Sequence, residues 1–229
     1  MNRRISKMRL TPGVKLAALL WVMLPLHVFS QDSNLGNWLI YIGNKKLNSK
    51  WNVHHEIQYR NYNAIGDLEQ LLIRAGLGYN IATNSNLLLG YGYIASENYI
   101  DHTDAKNNIN EHRIFQQFTT KQKVGIINLS HRYRFEQRFI EGNFKMRLRY
   151  FLSANIPLNN KDLVSKTWYI LAYNEIFLNT ESAVFDRNRI YGGLGYKLNP
   201  NLNLEFGYMN QVFEISSRDQ LNIILLFSF

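Results

Sequence analysis

The chain has no cysteine, which excludes disulfide bridges and a lipid anchor on an amino-terminal cysteine, so an exported form must hold together by backbone pairing and packing. Beyond the first thirty residues no apolar run approaches the roughly 20 residues of a membrane-spanning helix, and no long segment keeps a helical period. A glycine-rich phosphate loop, a His-Glu-x-x-His pattern and nucleic-acid motifs are all missing. Acidic residues are missing from positions 1–30, where Arg3, Arg4, Lys7, Arg9 and Lys15 supply five of the 26 basic residues. Without those five the chain carries 21 basic against 17 acidic residues, so the formal +9 falls to +4. So mild a balance implies no nucleic-acid partner.

What the amino terminus does contain is the layout of a secretory signal. A basic start leads into an apolar run over 16–29, with small residues at Val28 and Ser30 before Gln31. That run is about 14 residues, too short to span a bilayer. The expected organisation is a cleaved signal over 1–30 and a mature domain over 31–229.

The mature part is rich in aromatics, with 14 Tyr and 13 Phe, a composition that suits strands and membrane interfaces. Its clearest pattern runs over 124–157. Ile127, Leu129, His131, Tyr133 and Phe135 alternate with Asn128, Ser130, Arg132, Arg134 and Glu136. After Glu141, Gly142 and Asn143 the alternation resumes, with Phe144, Met146, Leu148, Tyr150 and Leu152 on one face and Lys145, Arg147, Arg149 and Phe151 on the other. Side chains alternate across a strand, so this is an antiparallel hairpin. If Gly142-Asn143 is its turn, Glu136 lies opposite Arg149; if Glu141-Gly142 is, Glu136 lies opposite Arg147.

Similar segments recur over 38–47, 51–62, 68–81, 87–96, 111–121, 168–178, 187–198 and 202–209, and in a last strand ending at Phe229. The segment at 111–121 alternates weakly, and 168–178 is apolar on both faces, so neither face can be assigned inward. The fold class implied is all-β: an antiparallel, up-and-down transmembrane β-barrel of about 10 to 12 strands. Ten strands fit between Trp51 and Phe229. The segment 38–47 is then an odd eleventh, which conflicts with the even strand numbers of single-chain bacterial barrels; either it pairs outside the barrel or another strand has been missed.

Volume decides which face is inside. Ten strands each sending about five large apolar side chains inward would overfill a barrel of that size, so the apolar stripes face lipid. The lumen then receives Arg60, Arg74, Arg113, Arg132, Arg134, Arg138, Arg147, Arg149 and Arg189, with Glu56, Glu136 and Glu205 as acidic partners. Gly76, Gly78, Gly90, Gly92, Gly193, Gly195 and Gly207 fall on the same face of other strands, which suggests that the arginines project into the room those glycines leave. Leu225, Phe227 and Phe229 end the chain as an aromatic stripe of the type that outer-membrane assembly machinery reads.

The stretches Glu56-Ile57-Gln58-Tyr59-Arg60, His131-Arg132-Tyr133-Arg134-Phe135-Glu136-Gln137-Arg138 and Arg147-Leu148-Arg149-Tyr150 carry a family resemblance. Together with the hairpin at Trp38, the chain resembles the Gram-negative outer-membrane β-barrel family filed as domain of unknown function 2490. That resemblance implies an outer-membrane barrel and leaves its activity open.

Three functions compete. An arginine-lined lumen selects anions by charge, so a narrow passive channel for small anionic solutes is the leading expectation. A closed structural or interaction barrel that displays its outer loops is the alternative. An outer-membrane lipid hydrolase is the weakest, because His55 and His131 fall on the lipid face while Ser96, Ser130, Ser153 and Ser228 fall on the lumen face, and no nucleophile can be paired with a base. Asp101, His102 and Asp104 are scattered loop residues and not a metal site. No enzyme activity, metal or cofactor is expected; the expected partners are outer-membrane lipid, the assembly machinery and an anionic solute.

Overall fold

The computed structural model describes residues 35–229 except positions 65, 102 and 182, so the expected signal over 1–30 and His102 lie outside the described residues. Alternation of side chains along the chain becomes a series of strands: β1 (Gly36–Lys46), β2 (Trp51–Asn61), β3 (Leu68–Ala82), β4 (Ser85–Tyr99), β5 (Lys106–Val124) and β6 (Ile127–Ile140). They continue as β7 (Asn143–Pro157), β8 (Thr167–Asn179), β9 (Phe185–Asn199), β10 (Leu202–Val212) and β11 (Ser217–Ser228). Sequential neighbours pair antiparallel, and the sheet closes on itself between β1 and β11. The result is an all-β closed barrel.

The closure corrects the expectation of an even count. The segment at Trp38 neither pairs outside the barrel nor signals a missed strand; it is β1, inside the ring. In a meander with an odd number of strands the first and last run in the same direction, so they can meet only in parallel. The register runs from Gly36↔Gln220 to Asn44↔Ser228. Parallel pairing is slightly weaker per residue than antiparallel, and this seam has support on both faces. Inside, Trp38, Ile40 and Ile224 join Tyr169, Leu171, Tyr191 and Met209 in the apolar cluster of the interior. Outside, the His55 ring fills the space over Gly43, with Tyr41 and Phe229 packed at 5.4 and 5.8 Å from it. The last residue also closes backbone bonds across the seam, Phe229 N–H donating to Asn44 O at 3.0 Å and Lys46 N–H to Phe229 O at 2.8 Å.

The β6–β7 hairpin turns at Glu141-Gly142, whose φ angles of 44° and 82° are the left-handed values a two-residue hairpin turn requires. Of the two registers open to the sequence, this one places Glu136 opposite Arg147. Strand β8, which the sequence could not orient, sends Tyr169, Leu171, Glu175 and Phe177 into the interior and Trp168 and Ile170 outward. The connections 62–67, 100–105, 141–142, 180–184 and 213–216 share one end of the barrel, called here the far end, and the carboxyl terminus lies at the other.

The outer surface is apolar. Leu39, Ile57, Ile73, Leu89, Ile114, Leu148 and Phe206 each keep between 42% and 59% of their surface exposed.

The glycines do not make room for arginines in the way their positions suggest. A Cβ at Gly90 would overlap the Phe115 ring, one at Gly195 the Tyr169 ring, and one at Gly207 the Tyr191 hydroxyl. Of those seven glycines only Gly92 accommodates an arginine, the Arg74 stem at 3.0 Å. Rings from adjacent strands fill the space first because they lie directly opposite in register, Gly90↔Phe115 and Gly195↔Tyr169.

Candidate functional site: a guanidinium-rich barrel interior

Strand alternation delivers every second side chain to the interior, and register decides which of the charged ones meet. Arg60, Arg74, Arg113, Arg134, Arg147, Arg149 and Arg189 are buried there, and Arg132 and Arg138 are half-buried nearer the two ends. Glu136, fully buried, is the hub. Its Oε2 accepts from Arg147 Nη2 at 2.7 Å and Nε at 3.0 Å, and its Oε1 accepts from Arg149 Nη1 at 2.6 Å. Arg113 and Arg134 approach the same carboxylate at 3.5 and 3.7 Å. Register alone supplies Arg147 directly opposite; Arg149 reaches the carboxylate diagonally.

Glu175 on β8 is a second hub that sequence reasoning missed. It accepts from Arg149 at 2.7 and 3.1 Å and from Arg132 at 2.8 Å. Glu111 on β5, also missed, takes Arg138 in a two-point grip at 2.7 and 2.8 Å and Arg113 at 2.6 Å. A usable signal was present for Glu111, which lies two residues from Arg113 and so shares its face; Glu175 had none, because 168–178 is apolar on both faces. Asp186 bridges Arg147 at 2.6 Å and Arg187 at 3.1 Å. Glu56 lies 3.5 Å from both Arg74 and His54. Charge-assisted pairs of this geometry are the strong hydrogen bonds of protein interiors.

Glu205 behaves differently from its sequence assignment as an arginine partner. It accepts a hydrogen bond from the Tyr169 hydroxyl at 2.8 Å, and no guanidinium lies within 4 Å of it among the described residues. The reason is position: β10 and its neighbours β9 and β11 fill that part of the interior with Tyr191, Met209 and Ile224 instead of cations.

Arginine also stacks. Phe177 has the guanidinium carbons of Arg149, Arg189, Arg147 and Arg187 at 4.3, 4.6, 5.2 and 5.9 Å from its ring centre, and Arg134 lies 4.6 Å from Phe115. Phe115, Phe177, Arg134 and Arg149, together with Leu72, Ile94, Met209 and Asn222, each of these four 1% exposed or less, fill the barrel interior between its two ends. A cavity of about 90 Å³ lies on the far-end side of that layer. A wider vestibule of about 610 Å³, lined by Asn52, His54, Asn86, Thr119 and Arg132 among others, opens toward the carboxyl-terminal end.

The remaining residues singled out from the sequence lie outside this lattice. His131 is on the outer face, with Nδ1 2.9 Å from the Tyr150 hydroxyl and Nε2 3.2 Å from Gln122. His55 packs over the seam. Leu225 and Phe227 sit beside Tyr41 and Gly43 of β1.

The architecture and this interior define the class: a closed β-barrel filled by an arginine–carboxylate lattice. Residues 35–222 match the family model described as protein of unknown function (DUF2490), and the chain belongs to that family. It is 31% identical over 163 residues, 68% of this chain and 69% of the relative, to an uncharacterized protein of Methylorubrum extorquens strain AM1. No solved structure matches it significantly.

Proposed function

We propose that the protein is an integral outer-membrane β-barrel, exported through its amino-terminal signal, whose lumen is shut at mid-height. An apolar surface running right round the barrel supports the membrane reading, because a water-soluble protein rarely exposes so large an area of Leu, Ile and Phe. The observation that carries the closed reading is the layer of Glu136, Arg134, Arg149 and Glu175, none more than 6% exposed, packed against Phe115 and Phe177. Such a barrel keeps the bilayer sealed and acts through its two ends. Assembly machinery would read Leu225, Phe227 and Phe229 while the β11 edge is still unpaired, before β1 covers it.

An anion channel is the second reading, favoured by the excess of guanidinium groups, and it requires the lattice to part. Planar-bilayer recording with purified protein separates the two. The closed reading expects no steady conductance above the bare bilayer; a stable, anion-selective open state in the unmodified protein would overturn it in favour of the channel.

A further inference from the structure

The far-end cavity collects more positive charge than the protein neutralises. Nine arginines and two glutamates line it. Among the described residues, the carboxylates within 4 Å of those arginines number six, leaving three positive charges over. Excess charge in a poorly hydrated interior is costly unless a counter-charge joins it.

The excess is localised. Arg60 has no carboxylate within 4 Å among the described residues; its Nε donates to Gln58 Oε1 at 2.9 Å, its Nη1 to Gln70 Oε1 at 2.6 Å, and its Nη2 also to Gln58. Arg189 donates from Nε to Gln211 Oε1 at 2.8 Å, and its nearest carboxylate, Glu175 at 3.8 Å, is already held by Arg132 and Arg149. Both guanidinium groups lie against one indole, Trp38, at 3.7 and 4.8 Å from the ring. Amide oxygens therefore orient the two forks without discharging them, and both like charges lie against the same indole.

We infer that the far-end cavity binds a phosphate group between Arg60 and Arg189, beside Trp38. A guanidinium fork matches two oxygens of a phosphate. A tetrahedral dianion can accept from forks that arrive from β2 and β9 on different sides, which a planar carboxylate does less well, and its charge offsets most of the excess. A cavity of about 90 Å³ holds several waters at roughly 10–15 Å³ each, and a phosphate would replace them. Inorganic phosphate and a phosphorylated sugar present the same chemistry.

The test is calorimetric titration of the purified full-length barrel in uncharged detergent with inorganic phosphate, with glucose 6-phosphate, and with chloride at matched ionic strength. Saturable binding of phosphate, at least tenfold tighter than chloride, is expected. Binding by phosphate alone identifies the free ion as the ligand, and tighter binding by glucose 6-phosphate identifies the ester. Arg60→Gln with Arg189→Gln should weaken binding at least tenfold while leaving the melting temperature in phosphate-free buffer unchanged or higher, since like charges have been removed. A merely structural pair of arginines would lower it. Arg60→Lys, which keeps the charge and loses the fork, is the second variant should the double substitution fail to fold, and it should also weaken phosphate. No saturable binding of either probe, binding equalled by chloride, or undiminished affinity in the variants overturns the inference. None of these results bears on whether the barrel conducts, so its failure and that of the closed reading remain distinct.

Discussion

Glu136 carries the largest single stake among the interior side chains. Among the described residues, four guanidinium groups lie within 4 Å of it, and taking away one partner of a buried ion pair leaves uncompensated charge, a loss of about 3–5 kcal/mol. Glu136→Gln keeps the shape and removes the charge, so it should lower the free energy of unfolding in detergent by an amount of that order. Glu205→Gln should cost less than about 1 kcal/mol, because the amide oxygen can still accept from Tyr169 and, among the described residues, no arginine depends on it. Denaturant titration of both variants, followed by the heat-dependent shift in gel mobility, checks the contrast; equal losses would mean that the lattice does not hold the charges as described. The arginines were legible from alternation alone. Their partners were less so: Glu175 was hidden because β8 is apolar on both faces, and the assignment of Glu205 to the cations failed because alternation fixes a face and says nothing about the neighbours across it.

At the scale of elements, glycines and aromatic rings act as fitted pairs between adjacent strands. Gly90→Ala would push a methyl group into the Phe115 ring, and overpacking of this kind costs about 1–3 kcal/mol. Combining it with Phe115→Leu should recover part of the loss, a coupling that a double-mutant cycle measures. A second element to test is the connection 62–67, where Asp67 meets the Lys106 ammonium at 2.6 Å and the Tyr99 hydroxyl at 2.9 Å. Partial burial pushes the Asp67 carboxyl up, but those two donors outweigh it and hold its pKa below the ordinary value. Its contribution is therefore complete above the unfolded value of about 4 and is lost as pH falls through the lower folded value. The stability difference between the protein and its Asp67→Asn variant should shrink as pH drops from about 5 toward 2; a difference that stays constant would show that the carboxylate charge plays no part. Most strand positions were readable from a period of two, and 111–121 and 168–178, where the period is weak or absent, from the turn residues that bound them. The length of β5 was not, because its outer residues, including Asn110, Gln116 and Thr120, break the apolar stripe.

For the whole molecule, the mid-height layer and the seam decide behaviour together. On the proposed closed reading, removing Arg134 and Arg149 together, each to Ala, should both lower thermal stability and let ions through a bilayer across which the unmodified protein shows no conductance. Single-channel recording alongside melting curves checks this, and a variant that melts lower yet stays silent would locate the barrier elsewhere in the interior. Alternation and side-chain volume were enough to establish from the sequence a barrel with apolar stripes outside and charge within, because both depend on residues two apart in one strand. That β1 closes the ring in parallel with β11, that rings fill the glycine gaps, and that Arg60 and Arg189 both lie against Trp38 depend on segments far apart in the chain. Those were decided only when the sheet closed and fixed one register for all eleven strands at once.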